Sequence, residues 1–224
     1  MTRQSFQDEL DDIERHLQEQ SRLCQHALDR VLSALAGAEA AAALEVIEGD
    51  DAIDRLYLVV EHAVESLLAR QSPVAIDLRL VLAMIHVNHH LERIGDQCVN
   101  IAKLSMLAPA QLPPEVVEDF TVMGNQASRM VAAAMESFAE RDLPKAEALV
   151  EMDQEINVRN HGLARRIMAT GVDDESIETA LRAMLIGRAL ERIGDNAVDI
   201  GEQTAFVVTG LFREFSDSSH PVTS

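Results

Sequence analysis

The sequence predicts an all-α protein of two tandem three-helix bundles, six long antiparallel helices in all, and three observations carry that prediction. Apolar residues recur at three- and four-residue steps through most of the chain, the period of one helical face. Aromatic residues make up only 3%, with no Trp and one Tyr, so the core falls to Leu, Ile, Val, Ala and Met. That palette suits helix-on-helix packing better than a sheet, which draws on aromatic and β-branched side chains. The third observation is an internal repeat: Leu91-Glu92-Arg93-Ile94-Gly95-Asp96 returns as Leu190-Glu191-Arg192-Ile193-Gly194-Asp195.

The first helix is marked by Phe6, Leu10, Ile13, Leu17, Cys24, Ala27 and Val31, with Gly37 as its C-terminal stop. A second follows through Ile47, Ile53, Leu56, Val60, Val64 and Leu67 to about Gln71. Ser72-Pro73 reads as an N-cap followed by proline at the first helical position, opening a third helix that runs to about Leu107. The stretch from Pro109 to Pro114 is the predicted boundary. A fourth helix then spans about 115–140, Asp142-Leu143-Pro144 starts a fifth that fades at Thr170-Gly171, and Asp173 caps a sixth reaching about Phe212. The expected units are 1–109 and 110–215, followed by a polar, frayed tail at 216–224. The repeat extends beyond the hexapeptide: Val99 and Ile101 match Val198 and Ile200, and Asp50-x-x-Ile53-Asp54 is echoed by Asp153-x-x-Ile156-Asn157. Both signals fall on the second and third helices of their own half.

A formal net charge of -19 opposes binding to nucleic-acid backbones or to an anionic bilayer, and suits metal cations or basic patches on a partner. No stretch is long and apolar enough to span a membrane. The N-terminus turns acidic at once without a signal-peptide core, and the two cysteines, Cys24 and Cys98, form no C-x-x-C. The expected compartment is a reducing cytoplasm.

On a helix, residues four apart share a face. Glu92 and Asp96 therefore project together, as do Glu191 and Asp195. Like charges at that spacing destabilise a helix slightly, and a metal cation is one way to offset them. Asn100 and Asp199 continue the two stripes, and His89 lies three residues before Glu92. An antiparallel second helix brings Asp50 and Asp54 toward the first site, and Asp153 with Asn157 toward the second. Against metal stands the plain reading of a solvated helical face, with Arg93 and Arg192 as salt-bridge partners. Gly95 and Gly194 cost helix stability and read as places where a neighbouring helix or ligand comes close, packing before ligand. The cluster His86, His89 and His90 has no histidine counterpart in the second half and reads as surface or packing before metal. Cys98 aligns with Ala197 and reads as a small buried side chain. No Gly-rich phosphate loop, nucleophile elbow, H-E-x-x-H or Glu-x-x-His occurs, so the chain is not expected to be an enzyme. A carboxylate-bridged metalloprotein and a metal-free acidic docking bundle are the alternative readings.

The doubled Glu-Arg-Ile-Gly-Asp signature, the upstream Asp-x-x-Ile-Asp (or Asn) and the tandem three-helix layout resemble the PhoU family of phosphate-transport regulators, from about Phe6 to Phe212. The resemblance implies a homodimeric, cytoplasmic regulator placed between the ATPase subunit of a phosphate ABC transporter and a sensor histidine kinase. Such a protein holds down the phosphate-starvation response when phosphate is plentiful. It also implies metal, iron or zinc before Mg, Mn or Ca, on Glu92, Asp96, Glu191, Asp195, Asp50, Asp54 and Asp153, to which the helical stripe adds Asp199 as a candidate ligand. Asn157 departs from the pattern and weakens the second site.

Overall fold

The apolar stripes read from the sequence are buried. Leu10, Ile13, Leu17, Cys24 and Val31 of the first stripe are at most 2% exposed, with Phe6 and Ala27 packed at its margin. The computed structural model describes residues 3–37, 40–107, 112–168 and 174–215. Every regular element among them is an α-helix: α1 Arg3–Gly37, α2 Ala40–Arg70, α3 Ala75–Met106, α4 Pro114–Glu140, α5 Leu143–Glu147, α6 Leu149–Met168 and α7 Asp174–Thr209. The six-helix plan holds, with its fifth member bent in two at Ala148.

Three boundaries differ from expectation for identifiable reasons. Ser72 and Pro73 do not open α3; the N-cap is Val74 in extended conformation, with no side-chain acceptor, and Ala75 begins the helix with φ 52°. Proline disfavours helical geometry in the residue before it, and the chain here stays extended through the turn from α2. At the fifth helix, Asp142 caps as expected, accepting from the Lys145 N–H at 3.0 Å. The helix then bends at Ala148 where α5 meets α7, with Leu149 and the Ala146 carbonyl against Gly201. Hydrogen bonds from Ala148 to Pro144 and from Met152 to Ala148 carry the chain around the bend. Finally, α7 stops at Thr209 and not at Phe212, because Gly210 takes a left-handed φ of 76° and returns its N–H to Phe206. The expected cap Asp173, the centre of the 109–114 break and the 216–224 tail lie outside the described residues.

The two repeats, α1–α3 and α4–α7, pack on one another. Helix α1 lies against α4, where Gln18 donates to the Met135 carbonyl at 3.3 Å and Arg141 pairs with Glu14. Helices α3 and α7 run antiparallel: Arg79 near the start of α3 meets Gly210 past the end of α7, and His90 bonds Asn196 at 3.0 Å further along. One contiguous apolar cluster therefore crosses both halves.

Phe120 of α4 is fully buried and among the largest such side chains. Phe120→Ala is expected to cost roughly 3–5 kcal/mol and, because the core is shared, to lower the urea midpoint of both halves together. A first half that melts unchanged, followed by amide hydrogen exchange, would contradict the shared core.

Candidate metal and interaction site on the carboxylate ridges

The repeated glycine is what brings the acids together. A Cβ on Gly95 would lie 3.0 Å from Ile53 Cδ1 and 3.5 Å from Asp50 Oδ1. At Gly194 the equivalent Cβ would lie 3.1 Å from Ile156 Cδ1 and 2.6 Å from Asp153 Oδ1. In each half the second helix crosses the third at this point, seating its isoleucine and its first aspartate over the missing side chain. The motif carboxylates, one residue after and three before the glycine, flank the crossing. Close approach of a helix, with a carboxylate riding on it, is thus the reason for the glycine.

In the first half the structure brings four of the candidate acids into one electrostatic group. Asp50 and Glu92 are half-buried, and Asp54 and Asp96 are exposed. Burial pushes the Asp50 carboxyl up from its ordinary 3.8 to about 6, with Asp54 and Asp96 adding repulsion and Lys103 opposing it. Glu92 is also raised, first by burial and then by Asp96 and Asp54, with Arg93 acting the other way. None of these four acids forms an ion pair among the described residues. Arg93, like Arg192, points to solvent. His89 and His86 are exposed, and the His89 imidazole is held toward its neutral form by burial, Arg93 and the two neighbouring histidines.

The second half has the same backbone plan and different chemistry. Glu191 is 8% exposed, and its Oε2 accepts from Asn160 Nδ2 at 2.8 Å and from Arg188 Nη1. Asn157 donates to Asp153 Oδ2. The Arg188 charge also acts on Asp195, which is half-buried. Asp199 is drawn away from this group into the contact between halves: its carboxylate lies 3.5 Å from His90 Nδ1, and burial raises its pKa against the pull of His90 and Arg93. Sequence reasoning assigned the neutralising role to Arg192 and missed Arg188 and Asn160. The signal was present, since Arg188 precedes Glu191 by three residues, as His89 precedes Glu92. Cys98 and Ala197 are both fully buried, and burial pushes the Cys98 thiol up to about 12.

Away from the ridges, α4 and α6 enclose an open groove of about 470 Å³. Asp119, 6% exposed, pairs there with Arg159 at 3.1 Å and Arg166 at 2.6 Å. Its charges are mutually satisfied. No helix among the described residues is long and apolar enough to cross a membrane.

Comparison with known proteins follows the same two-part geometry. The profile of the PhoU domain matches residues 8–105 and again 120–204. The chain belongs to the PhoU family. A relative from Zymomonas mobilis, described as a phosphate-specific transport system accessory protein PhoU homolog, is 31% identical over 210 residues, covering 93% of this chain and 89% of that protein. The crystal structure of PhoU from Pseudomonas aeruginosa matches with a TM-score of 0.84 at 28% identity, covering 92% of this chain and all of that one. That of the phosphate transport system regulatory protein PhoU from Streptococcus pneumoniae gives 0.85 at 28% identity, covering 93% and 99%.

The two ridges differ as candidate homes for a metal. The first offers hard oxygen donors in excess of any cation beside them, which suits a divalent or trivalent ion. Its side chains are spread along the crossing: among the described residues no three His, Cys, Asp or Glu groups are already converged on one point. The second has its acceptors taken by Arg188, Asn160 and Asn157, and does not fit an ion as it stands.

The raised Asp50 pKa fixes a sign. A carboxyl whose folded pKa lies above its unfolded value stabilises the fold while protonated and loses that contribution as it ionises, between about pH 4 and 6. Asp50→Asn is therefore expected to raise the Tm at pH 7 relative to the parent and to narrow that gap at pH 4. Thermal melts across the range check it; a variant less stable at pH 7 would contradict the crowding.

Proposed function

We propose that this chain regulates phosphate transport and phosphate signalling by protein contact, and is not an enzyme. In this reading it stands between the ATPase subunit of a phosphate ABC transporter and a sensor histidine kinase, as a cytoplasmic homodimer. When phosphate is abundant it restrains both uptake and kinase output. The relatives, described as phosphate-specific transport system accessory proteins, support the transport role. The kinase and the sign of regulation rest on the resemblance of the doubled motif.

The observation that carries the reading is the unpaired first ridge. Four acids of one electrostatic group, two of them exposed, stand at a helix crossing without an ion pair among the described residues. That arrangement suits recognition of cations. A metal held there by Asp50, Asp54, Glu92 and Asp96 would supply positive charge and fix the crossing of α2 over α3. A second observation favours docking. Ile177, Leu181, Met184 and Leu185 form an exposed apolar stripe at helical spacing on α7, and Leu78 and Leu82 repeat it at the matching positions of α3. Contiguous exposed apolar surface of this kind marks protein contacts.

Deleting the gene is expected to derepress alkaline phosphatase in phosphate-rich medium, and the intact gene to restore repression. Asp54→Ala with Asp96→Ala is expected to restore it poorly while retaining parental helical content by circular dichroism. Unchanged low phosphatase activity in the deletion strain overturns the signalling role.

A further inference from the structure

Past the left-handed Gly210, residues 211–215 leave the helix and double back along α7. The turn is tied by Thr209, whose Oγ1 accepts the Leu211 N–H at 3.1 Å. Arg213 then pairs with Glu147 of α5, and the Phe215 N–H donates to Glu202 Oε1 at 2.6 Å. Thr209 and Glu202 are about 10 Å apart along the helix at 1.5 Å per residue, a span that a few extended residues cover. The Phe215 ring lies over Gly201, 3.4 Å from where a Cβ would stand, and Leu149 Cδ1 closes on the same position. The segment is a strap, fastened at two points across the contact of α5 with α7.

The fastening at Glu202 is made to a buried charge. Glu202 is 7% exposed, and no cation pairs with it among the described residues. Burial without a cation disfavours the ionised form of a carboxyl. The surrounding charges add to the effect. Asp199, one turn earlier and turned toward His90, is a carboxylate, and so is Glu214 on the strap itself. From α5 comes Glu147, already paired with Arg213, while His90 and Arg93 of α3 act on Asp199. Helix α4 meets α7 nearby through the neutral Ser137 and Thr204 hydroxyls. The Phe215 N–H favours the charge, but burial outweighs it and pushes the Glu202 carboxyl from its ordinary 4.5 up to about 7. Opening the strap gives the carboxylate water and takes Glu214 away from it. Ionisation therefore favours the open form and protonation the closed one.

We infer that the charge on Glu202 sets whether residues 211–215 lie closed on the contact of α5 with α7, so that this segment is a proton-responsive strap. The device is separate from the carboxylate ridges and does not depend on the regulatory role. Closure is strongest below about pH 4.5, where Glu202 is protonated in both forms, and weakens as pH rises until the loss is complete above about 7.

The test is amide hydrogen exchange of the full-length protein from pH 5 to 8, read by mass spectrometry on peptides covering 211–215 and corrected for the intrinsic exchange rate. In the parent, protection of the segment is expected to fall about tenfold between pH 5 and 7 and to level off above. Glu202→Gln keeps an acceptor for the Phe215 N–H and removes the charge, so its protection is expected to stay at the pH 5 level throughout. A contact that only holds the fold together would leave the parental pH profile in that variant. No trend in the parent, a trend of opposite sign, or the parental trend in Glu202→Gln each overturns the inference. Should Glu202→Gln fail to fold, Glu214→Gln at an exposed position decides. It is expected to raise protection at pH 7 about twofold as the repulsion is removed, and unchanged protection overturns the inference.

Discussion

The structure depends on one crossing, made twice. A helix with a glycine in its middle lets a neighbour approach until an isoleucine methyl and an aspartate oxygen occupy the space of the absent Cβ, at Gly95 for Ile53 and Asp50 and at Gly194 for Ile156 and Asp153. Helix interiors pay for glycine with roughly 1 kcal/mol relative to alanine, and the crossing returns close packing. It also forces carboxylates into a small space. Motif acids one residue after and three before the glycine flank the crossing whatever else the sequence does. Charge crowding is a consequence of the packing, and any cation response of the protein is built on it.

The two halves resolve that crowding differently. In the first it shows as raised carboxyl pKa values, with Asp50 at about 6 and Glu92 raised as well. In the second, an arginine and two asparagine amides answer it, so that a deeply buried glutamate is held by hydrogen bonds and charge together. Breaking such a pair leaves an uncompensated buried charge, and so the second ridge behaves as a clasp. The first keeps its charge available.

The contact between halves has its own polar centre. His90 on α3 meets Asn196 and Asp199 on α7, and Glu202, one turn further along, is pushed up to about 7 by burial against the opposing Phe215 N–H. These groups lie between copies of the motif and not within either. Asp199 accordingly serves the junction, although its spacing from Asp195 places it on the motif stripe. The expectation that it continues the ridge considered α7 alone; α3 crosses the same face.

The sequence by itself determined the all-helical class, the repeat, and that Gly95 and Gly194 mark a close approach, because periodicity and duplication are local patterns that survive without coordinates. It also determined that Glu92 and Asp96 share a face, since helical geometry alone requires it. Tertiary structure decided the rest: the bend at Ala148, the left-handed stop at Gly210, the placement of Asp199 against His90, and the partner of Glu191. Each depends on which helix lies opposite. Arg188 and Arg192 flank Glu191 in sequence at three residues and one, but only Arg188 is on the buried carboxylate's side of the helix while Arg192 faces water. Sequence spacing sets which faces exist, and the neighbouring helices choose among them.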